Sequence, residues 1–112
     1  TIRIDRGEQF DSSDLEAQPG EYRQSTVDVG RFEPNAWGLY DCHGNVNEWC
    51  QDWFGDYTAD PQTNPQGPAT GKEHVYRGGS WWYYGMSCRV SRRNSGVKDV
   101  RGVIGLRLAM SK

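Results

Sequence analysis

Residues 41–48 form the first segment whose residue types could bind a ligand. The segment reads Asp-Cys-His-Gly-Asn-Val-Asn-Glu and is rich in side-chain oxygens. Hard cations such as calcium bind roughly six to eight oxygens from carboxylates, amides and backbone carbonyls, and a glycine such as Gly44 permits the sharp bend that this needs. Asp41 and Glu48 would supply the negative charge. Because the spacing does not match an EF-hand loop, the segment indicates a cation site without identifying the ion.

The same turn has a second interpretation, which is the start of a helix. Asn45 and Asn47 are of a type that caps helix N-termini, and Glu48 would lie near the positive end of the helix dipole. A helix over residues 46–53 would place four apolar side chains on one face at helical spacing. These four are Val46, Trp49, Cys50 and Trp53. We therefore predict a short helix that Gly55 ends, and capping and cation binding remain compatible.

A run of four aromatic residues, Trp81-Trp82-Tyr83-Tyr84, is the second candidate site. Alternate side chains of an extended strand face opposite sides, so all four cannot point inward. Exposed Trp and Tyr next to arginine are typical of binding hot spots and of antibody paratopes. The run therefore predicts a ligand-binding surface, and the alternative is a core strand with one solvent-exposed edge. The arginines that follow are Arg89, Arg92, Arg93 and Arg101.

Catalytic chemistry has little support in the residue patterns. Serine-hydrolase, zinc-protease, P-loop and dinucleotide-binding motifs are absent from the sequence. Cys88 next to Arg89 could act as a nucleophile or redox thiol if its pKa were lowered. No histidine or second cysteine lies nearby in sequence, so we interpret Cys88 as a structural thiol.

The three cysteines cannot all pair within the chain. No Cys-x-x-Cys motif occurs, and His43 and His74 are too far apart to indicate a zinc site by their spacing. We interpret the thiols as small buried side chains. A disulfide between Cys50 and Cys88 remains open, because it depends on whether the protein is extracellular. The third cysteine is Cys42.

These candidate sites must be positioned by a small, loop-rich domain. The chain has 112 residues, 35% of them hydrophobic, and contains 14 Gly and 5 Pro, which argues against a helical bundle. Its five Trp and six Tyr argue against disorder. No run approaches the roughly 20 apolar residues that span a bilayer. We predict one domain over residues 1–112, with no membrane span.

Strands and loops are easier to place than helices in this sequence. Residues 74–77 read as a short strand, and residues 58–72 contain the prolines and glycines of a loop. Residues 104–110 alternate apolar and other residues, which predicts a terminal half-buried strand. The candidate sites are therefore expected on turns between short strands.

The charges divide between the two parts of the chain. Residues 1–60 carry thirteen acidic and four basic residues, whereas residues 61–112 carry nine basic and two acidic ones. The simplest interpretation is that the two parts face each other; the other is a basic face for an anionic ligand. The basic residues do not cluster on a recognition helix of the kind that DNA-binding proteins use, so we expect no nucleic-acid partner.

Five segments together resemble the formylglycine-generating enzyme (sulfatase-modifying factor) family. They are residues 35–41, 44–53, 76–81, 88–90 and 104–109, in a highly specific order and spacing. The resemblance implies an α+β, C-type-lectin-like fold that is loop-rich, with short antiparallel strands and few helices. It also implies a structural calcium ion, held largely through backbone carbonyls plus one carboxylate. The matching positions are Asp41, Gly44, Val46 and Glu48.

The resemblance also bears on how much of the domain is present. Domains of the family are usually about twice as long as this chain. The chain is therefore expected to be the C-terminal part of a longer domain. An N-terminal half of the same domain becomes a candidate partner.

The resemblance argues against an enzyme. Formylglycine-generating enzymes carry a pair of copper-binding, redox-active cysteines shortly after the Gly-Gly-Ser motif, and residues 81–87 contain none. Cys88 matches the non-catalytic cysteine that many bacterial members have before their arginine. We therefore expect a non-catalytic domain. The alternative is a half-domain of an oxidase or of a sulfoxide-synthase-type enzyme.

The pattern is most similar to one branch of the family, the variable proteins of diversity-generating retroelements. These proteins use the lectin-like fold to display a hypervariable C-terminal surface, so the resemblance implies a protein or other surface ligand as partner. A display protein would lie at the cell surface or outside the cell. The positions that match variable places are Trp82, Tyr83, Tyr84, Met86, Arg92, Asn94, Ser95, Val97, Lys98 and Val103.

Overall fold

The architecture is a small mixed sheet surrounded by ordered loops. The computed structural model describes residues 23–83, 85–97 and 102–110. Within these ranges the regular elements are four strands and one short 3₁₀ helix. They are β1 (Asn47–Trp53), β2 (His74–Arg77), the 3₁₀ helix (Gly85–Cys88), β3 (Asn94–Gly96) and β4 (Ile104–Gly105).

The strands form one sheet in the order β3-β2-β1-β4. β2 pairs antiparallel with both β1 and β3, and β4 pairs parallel with β1. The register places Trp49, Tyr76 and Asn94 side by side across β1, β2 and β3. The predicted fold class, loop-rich with short strands and few helices, is confirmed, and the parallel β1–β4 pair is an addition to it.

The helix predicted over residues 46–53 is wrong, because this segment is strand β1. Trp49 and Trp53 contact Tyr76 and His74 of β2, with ring centroids 5.6 and 3.8 Å apart. Because β1 is irregular between the two tryptophans, a step of four residues along β1 corresponds to a step of two residues along β2. The tryptophan spacing fits a helix face equally well, so tertiary pairing decided between the two structures.

The two asparagines predicted as caps have other partners. The Asn45 side chain accepts a hydrogen bond from Val27 N at 3.1 Å and donates to Val27 O at 3.0 Å. Asn47 is fully buried, and its side-chain nitrogen donates to Val103 O at 3.3 Å. Both side chains therefore tie neighbouring segments to the start of β1 instead of capping a helix.

The strand predicted over residues 104–110 is present only at Ile104–Gly105. Beyond it, Leu106, Leu108 and Met110 are 75, 87 and 93% exposed. The alternation of residue types was expected to bury these side chains. Nothing among the described residues covers them, so the prediction of a half-buried strand is wrong from residue 106 onward.

The long loop between β1 and β2 is ordered by contacts with the strands. Phe54 N donates to Glu73 O at 2.8 Å and closes the loop at its base. Arg93 donates to Gly55 O at 2.8 Å and lies 3.9 Å from the centre of the Tyr57 ring. The loop predicted over residues 58–72 is confirmed.

Few side chains are fully buried. Val75 is the only fully buried hydrophobic residue in the described part of the chain. The polar side chains buried there are those of Asn47 and Ser80. No helix in that part is long and apolar enough to cross a membrane. Much of the packing is therefore backbone against side chain, as where Gly79 lies against Cys88.

Candidate functional site

The candidate binding surface begins at a buried turn. Gly79 and Ser80 are buried, and the turn that follows is fixed by the hydrogen bond from Trp81 N to Asn45 O at 2.9 Å. Tyr83 N donates to Ser80 O at 3.1 Å. The buried Gly79–Ser80 pair thus holds the aromatic run at a defined place next to the sheet.

The aromatic run divides into inner and outer side chains. Trp81 is half-buried, and the adjacent Trp82 is 48% exposed and packs edge-on against it, with ring centroids 5.2 Å apart. Met86 on the 3₁₀ helix is 50% exposed, and Val97 is exposed to a similar degree. We call the exposed side chains of Trp82, Met86 and Val97, with the polar residues of β3, the display surface.

Polar groups of the display surface are held by hydrogen bonds. Arg92 Nε donates to Asn94 Oδ1 at 3.1 Å, and the Ser95 hydroxyl donates to the Glu73 carboxylate. The surface therefore presents fixed polar groups beside exposed apolar ones.

Tyr76 joins this surface although the sequence did not single it out. Its hydroxyl is hydrogen-bonded to that of Tyr83; burial first, and then Tyr83, raise the pKa of Tyr76. Asn94 is the cross-strand neighbour of Tyr76. Only the β2–β3 register shows this proximity.

The sheet order separates one of the predicted surface positions, Val103, from those on β3. Val103 precedes β4, at the opposite edge of the sheet from β3, and its carbonyl accepts hydrogen bonds from Asn47. Tyr84 and Lys98 lie outside the described residues. The positions that lie around the 3₁₀ helix and β3 are Trp82, Tyr83, Met86, Arg92, Asn94, Ser95 and Val97.

The three cysteines are free. Burial raises the pKa of Cys88, and burial together with nearby Asp52 raises the pKa of Cys50. A raised pKa disfavours the thiolate that a nucleophile or redox centre needs. The surroundings of Cys88 therefore suit a packed thiol, in contact with Gly79.

The turn over residues 41–48 contains left-handed backbone and a partly buried carboxylate. Asp41 and Asn45 have φ angles of 55° and 64°. Asp41 Oδ2 accepts a hydrogen bond from Gly30 N at 2.6 Å, whereas its buried Oδ1 has no hydrogen-bond donor among the described residues. The carbonyl oxygens of Cys42 and Val46 both approach Gly78, at 3.6 and 3.9 Å from where its β-carbon would lie.

Glu48 in this turn is already paired. Both of its carboxylate oxygens accept hydrogen bonds from Arg107, at 2.6 and 2.7 Å, and these bonds raise the pKa of Arg107. The described residues contain no cluster of three His, Cys, Asp or Glu side chains suited to a metal. Carbonyl oxygens and the unpartnered Asp41 oxygen are donors of the chemical type that hard cations prefer.

Comparison with known proteins decides the family. Residues 5–112 match the Sulfatase-modifying factor enzyme 1-like domain family. The chain belongs to this family.

Two relatives of this sulfatase-modifying-factor-like chain illustrate the range of the family. A "Formylglycine-generating enzyme" of Streptomyces coelicolor is 42% identical over 91 residues, 76% of the chain and 29% of the relative. A "Serine/threonine-protein kinase pkn1" of Chlamydia pneumoniae is 40% identical over 84 residues, 71% of the chain and 13% of the relative.

Solved structures agree with the family. Treponema denticola variable protein 1 is similar with a TM-score of 0.68 and 39% identity, over 73% of this chain and 31% of that one. PvdO from Pseudomonas aeruginosa is similar with a TM-score of 0.63 and 34% identity, over 73% and 33%. The sulfatase-modifying-factor-like chain therefore has the C-type-lectin-like fold of this family, and it spans about a third or less of the length of these proteins.

Proposed function

We propose that this chain is a non-catalytic ligand-binding domain whose display surface contacts a protein or another surface ligand. The observation that carries the proposal is the contrast between a buried Gly79–Ser80 turn and the exposed side chains directly after it. Trp82 and Met86 offer apolar contact area on a fixed backbone, and such side chains are enriched at binding hot spots. Arg92 adds positive charge that steers an acidic partner.

The display surface is proposed to vary between copies of the gene. Support comes from the similarity to Treponema denticola variable protein 1, together with the framework motifs around the surface. Under this hypothesis the buried framework residues maintain the fold while the residues at exposed positions vary. The protein would then act at the cell surface or outside the cell.

Sequencing of the locus tests the variable surface. We expect a near-copy of the codons for residues 81–110 downstream of the gene, rich in asparagine codons and next to a reverse-transcriptase gene. Among isolates, substitutions should concentrate at exposed positions such as Trp82 and Met86 and spare Gly79 and Ser80. Isolates with identical codons throughout, and no downstream copy, would contradict the variable surface.

A formylglycine-generating oxidase is the alternative, because the relatives include enzymes of that name. The family resemblance associates that activity with a pair of redox cysteines shortly after the Gly-Gly-Ser motif. Residues 81–87 contain no cysteine, and the pKa of Cys88 is raised. Both observations favour binding over oxidation.

A structural calcium ion in the turn of residues 41–48 is part of the proposal. The site would use carbonyl oxygens, including those of Gly44 and Val46, with the Asp41 carboxylate. The Glu48 carboxylate would join only by exchanging one of its hydrogen bonds with Arg107 for the ion. The unpartnered, buried Asp41 Oδ1 supports it. Such an ion would stabilise the turn that leads into β1.

Thermal unfolding with and without calcium tests this site. Because binding to the folded state alone stabilises it, a 100-fold excess of calcium over its Kd should add about 2.7 kcal/mol, or about 10 °C in Tm. Asp41→Asn keeps the side-chain shape and the Gly30 contact but removes the charge, so it should abolish most of the calcium-dependent shift. An equal shift in the Asp41→Asn variant, or none in the wild type, would contradict the site.

A further inference from the structure

The turn after the 3₁₀ helix brings three arginines together. Arg92 N donates to Arg89 O at 3.0 Å, which closes a four-residue turn with an arginine at each end. The two ends of such a turn lie within about 7 Å of each other. Arg77 of β2 holds the turn, because its Nη1 donates to the carbonyls of Val90 and Arg92 at 3.0 and 3.2 Å. We call residues 89–92, with the Arg77 side chain that holds them, the arginine turn.

The positive charge of the arginine turn is not neutralised within the described part of the chain. There, Arg77, Arg89 and Arg92 form no ion pair, and the last two are exposed. Glu48 is the cross-strand neighbour of Arg77, but both of its carboxylate oxygens bond Arg107 instead. Because like charges repel one another, an anion at this turn is attracted by three guanidinium groups at once.

The sequence around the arginine turn is basic over a long stretch. Residues 74–97 contain four arginines and no Asp or Glu. Glu73 borders this stretch, and its carboxylate already accepts a hydrogen bond from the Ser95 hydroxyl. The segment from β2 to β3 therefore presents a positive surface, and such a surface attracts an acidic partner.

Apolar side chains lie next to these charges. Val90, inside the turn, is 79% exposed. Met86, whose carbonyl accepts a hydrogen bond from Arg89 N at 3.4 Å, is 50% exposed. A bare inorganic anion has no group that would cover these side chains. A polypeptide can do both, because its carboxylates accept paired hydrogen bonds from arginine while its apolar side chains cover Val90 and Met86.

We propose that the arginine turn binds the carboxylates of an acidic protein segment, with Arg89 and Arg92 as the contacting residues. The proposal rests on the ligand-binding role proposed above, and it adds the chemical class of the partner. Since charged contacts at an exposed site are screened by salt, the affinity for this partner depends on ionic strength.

A random library of short peptides displayed on phage tests the chemical class. Panning against the protein expressed from its complete reading frame should enrich peptides that carry a net negative charge together with Leu, Phe or Trp. The most enriched peptide is synthesised with a fluorescent label, and its Kd is measured by anisotropy. This Kd should rise at least about tenfold between about 50 and 500 mM salt. Replacing the Asp and Glu of the peptide with Asn and Gln should abolish detectable binding.

Variants that remove charge locate the site. Arg89→Gln/Arg92→Gln should weaken binding of the labelled peptide by at least about tenfold, because it removes two charge-assisted contacts. Arg31→Gln, at an exposed arginine in the loop before β1, is the matched control and should leave the Kd within about twofold. Arg89→Gln alone keeps the hydrogen bond from Arg92 to Asn94 and should cost at least about threefold. This single variant decides the question if the double variant does not fold.

Three results would overturn the proposal. Enriched peptides without net negative charge, or an unchanged Kd for the folded Arg89→Gln variant, would contradict an acidic partner. If those peptides still lost affinity for Trp82→Ala/Met86→Ala, the ligand-binding role would stand and only the acidic class would be wrong. Tighter binding of a labelled oligo-dT strand than of every enriched peptide would assign the turn to phosphate groups. A library without enriched peptides would contradict both the acidic partner and the ligand-binding role.

Discussion

Replacing Gly79 with alanine is expected to destabilise the protein by about 3 kcal/mol, lowering its Tm by more than about 10 °C. A β-carbon at this buried position would lie 2.5 Å from Cys88 Sγ and 3.0 Å from Cys88 N and Cα. The φ angle of 74° adds the strain that any L-residue has in left-handed backbone. Thermal or urea unfolding followed by circular dichroism measures the loss.

Two further variants separate the causes of that loss. Gly38 has nearly the same φ, 76°, but no atom within 4 Å of the β-carbon position, so Gly38→Ala reports the backbone strain alone, about 1 kcal/mol. Cys88→Ala in the Gly79→Ala background removes the contact with sulfur but leaves that with the backbone, and it should restore part of the loss. Equal effects of Gly79→Ala and Gly38→Ala would show that Gly79 does not pack against Cys88.

The loop-rich fold could be predicted from composition and motifs, but the elements around the first candidate site could not. Trp49 and Trp53 are spaced so that they fit both a helix face and an irregular strand. Their contact partners, Tyr76 and His74, are more than 20 residues away in the sequence, so the local sequence does not predict these contacts. The strand is a consequence of long-range pairing that periodicity does not encode.

The candidate site was predictable where neighbours in sequence are neighbours in space. The side chains from Trp81 to Tyr83 alternate between half-buried and exposed, as expected for a run of aromatic residues that cannot all point inward. Tyr76 could not be assigned, because only the β2–β3 register brings it to Asn94. Val103 was grouped with the surface by motif order, yet the sheet order places it at the other edge.

Combined removal of Trp82 and Met86 is expected to weaken ligand binding by at least about 100-fold. Each side chain is about half exposed in the free protein, so each has apolar area left to bury against a partner. Hot-spot side chains of this kind cost about 2 kcal/mol or more each when truncated to alanine, and every 1.4 kcal/mol is about a tenfold change in Kd. Their exposure also means that the fold should tolerate both changes.

A matched control is available near the opposite edge of the sheet. Trp37 is also largely exposed, and its segment lies near Arg107 through Tyr40, away from β3. Trp37→Ala removes an indole of the same size without touching the display surface. It should leave the Kd within about twofold of wild type if the display surface alone holds the ligand.

The most direct test of the display surface is a titration of these variants with a selected ligand. Binders are taken from a protein-fragment display library made from the source organism and its neighbours, panned against the immobilised wild-type chain. Isothermal titration calorimetry then gives the Kd of each binder for wild type, Trp82→Ala/Met86→Ala and Trp37→Ala. We predict a loss of at least about 100-fold for the double variant and none for Trp37→Ala. An unchanged Kd for the folded double variant would contradict a ligand-binding role of this surface.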